Sequence, residues 1–209
     1  MIPSMAAMDT TGLLAVAAAL GWASGLRLYA VLFATGLAGW MGWVPLPDGL
    51  KLLQNPLMMG AAGFMLVVEF FADKIPGLDS LWDALHTLIR IPAGAALAAA
   101  VFGGDHANWA ALAALMGGGL AATSHLAKAT TRAALNTSPE PFSNIAASLA
   151  GDAVVPAALW LSWTHPLAFA VFLLLAVTLM LTVTVLLLKF LKSLITSLRD
   201  RFGGARAAA

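Results

Sequence analysis

The sequence predicts an all-α membrane protein of six transmembrane helices, built as two inverted three-helix halves with broken or kinked helices. Three observations point there. The 209 residues are 61% hydrophobic and only 10% charged, with a mean hydropathy of +0.89, whereas soluble domains carry about 25% charged residues. Apolar runs near the length that spans a bilayer, about 20 residues, recur between turns marked by Pro and Gly. The two halves also resemble each other: Gly21 to Arg27 aligns with Gly119 to His125, and Asn55-Pro56 precedes Glu69 as Ser138-Pro139 precedes Asp152. Three spans per repeat is an odd number, so the halves would insert in opposite orientations, an arrangement that points to a transporter site at the midplane.

Taken in order, the first span covers residues 12–44 and contains Gly25, Arg27 and Tyr29, so it is long, tilted or broken near residues 21–25. Residues 45–55, with Pro45, Pro47 and Gly49, read as a turn-rich loop. A second span runs from Pro56 to Lys74. Pro76-Gly77 breaks the chain, and Asp79 suits the N-cap of a third span ending near Phe102. After the turn Gly103-Gly104-Asp105 come spans over 108–134, 143–163 and 166–189. The domain reading is a short N-terminal tail (1–11), one polytopic membrane domain (12–189, with repeats 12–102 and 108–189) and a basic tail (190–209). Residues 1–11 lack Lys and Arg, and the apolar run that follows is too long for a cleavable signal.

The tail carries Lys189, Lys192, Arg199, Arg201 and Arg206, which predicts a cytoplasmic C-terminus and, with six spans, a cytoplasmic N-terminus. Trp40, Trp43, Trp109, Trp160 and Trp163 fit an interfacial aromatic belt, and Gly21, Gly25, Gly60, Gly63 and residues 117–119 fit close helix crossings. The last span, apolar apart from three threonines, reads as a lipid-facing buttress. Without cysteine there are no disulfides and no thiolate chemistry. The net charge of +1 says nothing about nucleic acid, but with no basic tract outside the C-terminal tail and no interleaving of basic and aromatic residues, no nucleic-acid partner is expected. The partners implied are the bilayer, a small ion or small anionic substrate, and a second copy of the chain in a homodimer.

Between Glu69 and Arg90 the chain places Glu69, Asp73, Lys74, Asp79, Asp83, His86 and Arg90. A charged side chain at the bilayer centre costs between about 3 and 17 kcal/mol, so such groups mark function by default. Asp79, Asp83, His86 and Arg90 fall on one helical stripe, His125, Lys128 and Arg132 on another, and Asp152 stands alone in an apolar run. Glu69, Asp73, Asp83, His86, Asp152 and His125 are the candidate ion ligands or proton relay. Arg27, Arg90, Lys128 and Arg132 would balance charge or contact an anion. Glu69, Asp79, Asp83 and His86 are the ligand types a divalent metal ion would take as cofactor. Lys74 and Asp79 flank the Pro-Gly turn and read as capping and anchoring groups, while Arg132 is placed to snorkel.

The run E-x3-D-K-x-P-x2-D-x3-D-x2-H-T from Glu69 to Thr87, with Ser24-Gly-Leu-Arg27 before it and His125-x2-Lys128-x3-Arg132-x3-Asn136 after it, resembles a bacterial integral-membrane family known as domain of unknown function 4126. The resemblance spans residues 12–156 and implies a multi-pass protein of the bacterial inner membrane. It implies no activity.

Three functions compete. The acids and imidazoles suit a transporter or channel for a small ion, proton-coupled through His86 and His125, with a divalent cation favoured as cargo and an anion or phosphate as the alternative. A metal-dependent enzyme acting on a lipid phosphate could use Asp79, Asp83 and His86 for the metal, with Arg90 and Lys128 on the phosphate. No nucleophile motif and no Gly-rich phosphate loop accompany them, so the enzyme ranks below the transporter. A non-catalytic accessory role would use the charges to specify helix pairing.

Overall fold

A computed structural model of the chain describes residues 8–103, 106–137 and 142–203. Most of the expected N-terminal tail (residues 1–7), Gly104-Asp105, the Ser138-Pro139 element of the repeat, and residues 204–209 of the basic tail lie outside them. The described residues are helical, with no strand: α1 (Thr10–Trp40), a 3-10 helix (Asp48–Gln54), α2 (Pro56–Ala72), α3 (Leu78–Ala100), α4 (Ala107–Leu135), α5 (Phe142–Thr164) and α6 (Pro166–Gly203).

Local chemistry sets the helix starts. Asp9 caps α1 by accepting from Gly12 N at 2.8 Å, and Asn55 caps α2 by accepting from Leu57 N, with Pro56 at the first helical position. Gly77, at φ +86°, is the N-cap of α3. The expected cap, Asp79, lies in the first turn and turns back to accept from Gly77 N (2.9 Å) and Ser80 N (2.6 Å). The loop expected over 45–55 is mostly the 3-10 helix, which buries Leu50 and Leu53. Beyond Lys189 the chain does not leave the sixth helix, so the basic residues Lys189 and Lys192 extend α6 itself.

Among the described residues four helices are long and apolar enough to cross a membrane: α1, α4, α5 and α6 through Ser197. The 3-10 helix and α2, bent by 70°, make a fifth if they form one broken span. At 23 residues α3 is long enough, but its ionisable stripe lowers its hydropathy. The protein is therefore an all-helical membrane protein.

α1 is the axis. It packs against every other helix, and buries Val16, Leu20, Trp22, Leu28 and Val31. α3 and α4 pack most extensively on each other and next on α1. The three backbones close at Gly21, Gly94 and Gly117: a Cβ on Gly21 would collide with the backbone of Gly117, and one on Gly94 would lie 3.2 Å from Gly21 O. Gly25 meets the carbonyl of Ala121 in the same way. Small residues let membrane helices approach closely where lipid supplies no hydrophobic drive. Gly60 and Gly119, expected at crossings, face open space instead. Gly21→Ala should accordingly cost about 1–3 kcal/mol and lower the thermal midpoint in detergent. Gly119→Ala should leave it unchanged or raise it, because alanine favours helix and meets nothing there.

The break expected near residues 21–25 lies at Arg27, whose φ of −148° and ψ of 78° interrupt α1. The glycines are occupied in packing and stay helical. α6 runs along the outside, with Leu167, Val171, Leu174, Leu175 and Leu179 exposed, as the buttress reading expects. Trp40, Trp43, Trp109 and Trp160 are exposed, but Trp163 is buried in the core and does not belong to a belt.

Candidate functional site: a buried chain of alternating charge

Ten ionisable residues that the sequence distributes over five segments converge between α1, α2, α3, α4 and α5. Eight form a continuous chain of alternating sign. Glu69 Oε1 meets Arg90 Nη2 at 2.6 Å, and Arg90 Nη1 meets Asp83 Oδ1 at 2.7 Å. Asp83 Oδ1 lies 3.0 Å from Lys128 Nζ, which lies 2.8 Å from Asp73 Oδ2. Asp73 Oδ2 is 3.0 Å from Arg27 Nη1, Arg27 Nη2 is 3.1 Å from Asp152 Oδ1, and Asp152 Oδ2 is 3.1 Å from Lys74 Nζ. Glu69 and Arg90 are fully buried, and only the Asp152–Lys74 end is partly exposed. Each interior member touches two groups of opposite sign, which is how a low-dielectric interior tolerates so many charges.

Helix geometry explains the order. Asp83 and Arg90, two turns apart on α3, reach each other along one face, and the guanidinium enters between α3 and Glu69 of α2. Asp73 is the C-cap residue of α2 and points back to both α4 and α1. At the break in α1, Leu26 O accepts from Lys128 Nζ at 3.2 Å, so the cation that joins two acids also satisfies the interrupted helix. Arg27 is fixed further by donating to Ser148 O (2.9 Å) and Ser148 Oγ (2.7 Å). Lys74 also sits 3.1 Å from the Phe70 ring centroid, a favourable cation–π geometry.

Asp79 and Arg132 form a second cluster. Their ion pair is long, 3.7 Å, and asparagines mediate it. Asn136 Nδ2 donates to Asp79 Oδ1 (2.9 Å), Asn144 Nδ2 donates to Asn136 Oδ1, and Arg132 Nη1 donates to Asn144 O (2.9 Å) and Oδ1 (3.1 Å). Two sequence-based expectations change here. Arg132 does not snorkel, being only 3% exposed, and Asp79 is a buried hub as well as a cap. Lys74 likewise belongs to the charge chain and is no mere anchor.

The two histidines attach to the chain by hydrogen bonds. His86 Nδ1 lies 2.8 Å from Trp82 O, which can only accept, so Nδ1 carries a proton, and Nε2 is hydrogen-bonded with Tyr29 OH at 3.1 Å. Its ring stacks on Trp82 at 4.0 Å. At His125, Nδ1 lies 3.3 Å from Arg90 Nη1 and Nε2 lies 2.8 Å from Thr87 Oγ1. Thr87 Oγ1 passes its own proton to Asp83 O at 3.0 Å. Glu69 Oε2, Asp83 Oδ2 and, in the second cluster, Asp79 Oδ2 are buried and make no hydrogen bond among the described residues. These carboxylate oxygens have acceptor capacity left over.

Glu69, Asp79, Asp83 and His86 do not form one ligand set. Arg90 stands between Glu69 and Asp83, Asp79 goes to Arg132, and His86 turns to Tyr29. Among the described residues no three His, Asp or Glu side chains come together to hold a metal ion. Sequence reasoning missed Tyr29, Thr87, Asn136, Asn144 and Ser148 as members of the site. Tyr29, the only tyrosine in the chain, and Thr87, one turn after Asp83, were the available signals.

A family model described as "Domain of unknown function (DUF4126)" matches residues 14–186. No curated protein and no solved structure matches the chain.

Proposed function

We propose that this chain, which belongs to the domain of unknown function 4126 family, is a proton-coupled transporter of a small ion whose path runs through the buried charge chain. The observation that carries the reading is the alternating run from Glu69 to Lys74, with His86 and His125 hydrogen-bonded beside it and a helix break at Arg27. Intramembrane ionisable groups in series suit proton relays. Interrupted helices at such a site suit alternating access. In this reading α2 with its 3-10 helix and α3 complete six spans, arranged as two inverted halves in the bacterial inner membrane. The excess of Lys and Arg toward the C-terminus supports cytoplasmic termini, and a homodimer is the proposed assembly.

Protons suit the site better than a preformed divalent-cation site, because every acid already faces a cation. A divalent cargo would bind only once Arg90 has left its position between Glu69 and Asp83. Proteoliposomes carrying an internal pH dye, challenged with divalent-cation and phosphate gradients, test the reading. Proton-linked flux in the wild type, lost in folded Asp83→Asn and His86→Ala proteins, is the expected result. Absence of flux above empty liposomes for every cargo would remove the transport reading and leave the charges to specify helix pairing.

A further inference from the structure

A cavity of about 290 Å³ opens between α1, α4, α5 and α6, where α5 barely meets α4. Arg27, Lys128 and Arg132 border it, and no carboxylate among the described residues does. The rest of its wall is Thr131 with small or apolar residues, Val154 and Val183 among them. Leu179 both lines the cavity and is exposed on the outer face of α6, so the cavity is reached from the bilayer. Arg27 Nη1 is buried and makes no hydrogen bond, although Asp73 Oδ2 lies 3.0 Å away. Gly151 lies beside this guanidinium, where a Cβ would be in van der Waals contact with Arg27 Nε at 3.5 Å. On the other side of α5 a second cavity reverses the charge: it is lined by Asp152 and apolar residues such as Phe33, Leu66 and Phe70, with no cation. The Arg27–Asp152 ion pair separates the two.

We propose that the cation-bordered cavity holds an anionic phospholipid, its phosphate against Arg27, Lys128 and Arg132 and an acyl chain along α5 and α6. Guanidinium groups match phosphate oxygens in geometry and charge, and basic pockets between membrane helices take anionic headgroups. The apolar remainder of the wall favours a lipid over a free, hydrated phosphate ion. The site is independent of the transport reading, because its occupant is defined by binding and not by flux.

Native mass spectrometry of the full chain in detergent, with phosphatidylglycerol or phosphatidylcholine added at equal concentration, tests the assignment. Arg27, Lys128 and Arg132 each already face an acid, so the preference should be modest: the wild type should retain phosphatidylglycerol about threefold better than phosphatidylcholine, whose choline ammonium is disfavoured beside three cations. Val183→Trp fills the cavity from α6 and Thr131→Glu places an acid in it. Both should abolish that preference, while Leu66→Trp, in the second cavity, should keep it. Equal retention of the two lipids by the wild type would overturn the proposal. So would a preference that survives in both folded cavity variants. Displacement of phosphatidylglycerol by millimolar inorganic phosphate would assign the site to a free anion and overturn the lipid.

Discussion

Replacing Arg90 by Met is expected to cost about 3–5 kcal/mol, enough to abolish recovery of folded protein from the membrane. Among the described residues Glu69 loses its one ion-pair partner while remaining fully buried, and Asp83 keeps only Lys128. A buried carboxylate without a partner must be neutralised or exposed, and neither route leaves α2, α3 and α4 packed as they are. The double variant Glu69→Gln/Arg90→Met removes the stranded charge and should recover most of the loss, because a neutral, shape-matched pair can replace a buried ion pair. Thermal midpoints in detergent, compared across the two single variants and the double, provide the check. If the double variant were as unstable as Arg90→Met alone, the cost would lie in lost packing and not in the orphaned acid.

What the sequence made legible follows the reach of its periodicities. The spacing of Asp79, Asp83, His86 and Arg90 placed four buried groups on one face of α3, and all four are buried there. The long apolar run of α6 similarly announced a lipid-facing helix. Pairing was not legible, because Arg27 and Asp152, or Asp73 and Lys128, are brought together by helix packing that no local pattern encodes. Polar residues of modest size escaped for a related reason. Asn144 and Ser148 look like ordinary residues of a small-residue helix until Arg132 and Arg27 arrive from other segments. The glycines were legible in part. Gly21 and Gly25 sit at the close crossings expected of them, against Gly117 and Ala121, but the helix break expected beside them does not lie there. The backbone gives way two residues later, at Arg27, where Lys128 meets the carbonyl of Leu26.

Asp73→Asn should have the opposite profile to Arg90→Met: a folded protein without transport. Asp73 joins the two sections of the charge chain, touching Lys128 on one side and Arg27 on the other. Neither cation is stranded when it becomes neutral. Lys128 keeps Asp83 and the carbonyl of Leu26, and Arg27 keeps Asp152 and Ser148. The stability loss should therefore stay near the cost of weakened charged hydrogen bonds, about 1–3 kcal/mol. Transport is another matter, because the substitution severs the alternation at its centre and leaves the section with Arg27, Asp152 and Lys74 carrying an extra positive charge. Proton-linked flux in proteoliposomes should fall to the level of empty vesicles while the protein remains monodisperse. Retained flux would mean that the path bypasses Asp73, and would confine the relay to Glu69, Asp83 and the two histidines. Loss of both fold and flux would instead place Asp73 with Arg90 as a structural support, since a carboxylate needed only for conduction leaves its neighbours paired when it is neutralised.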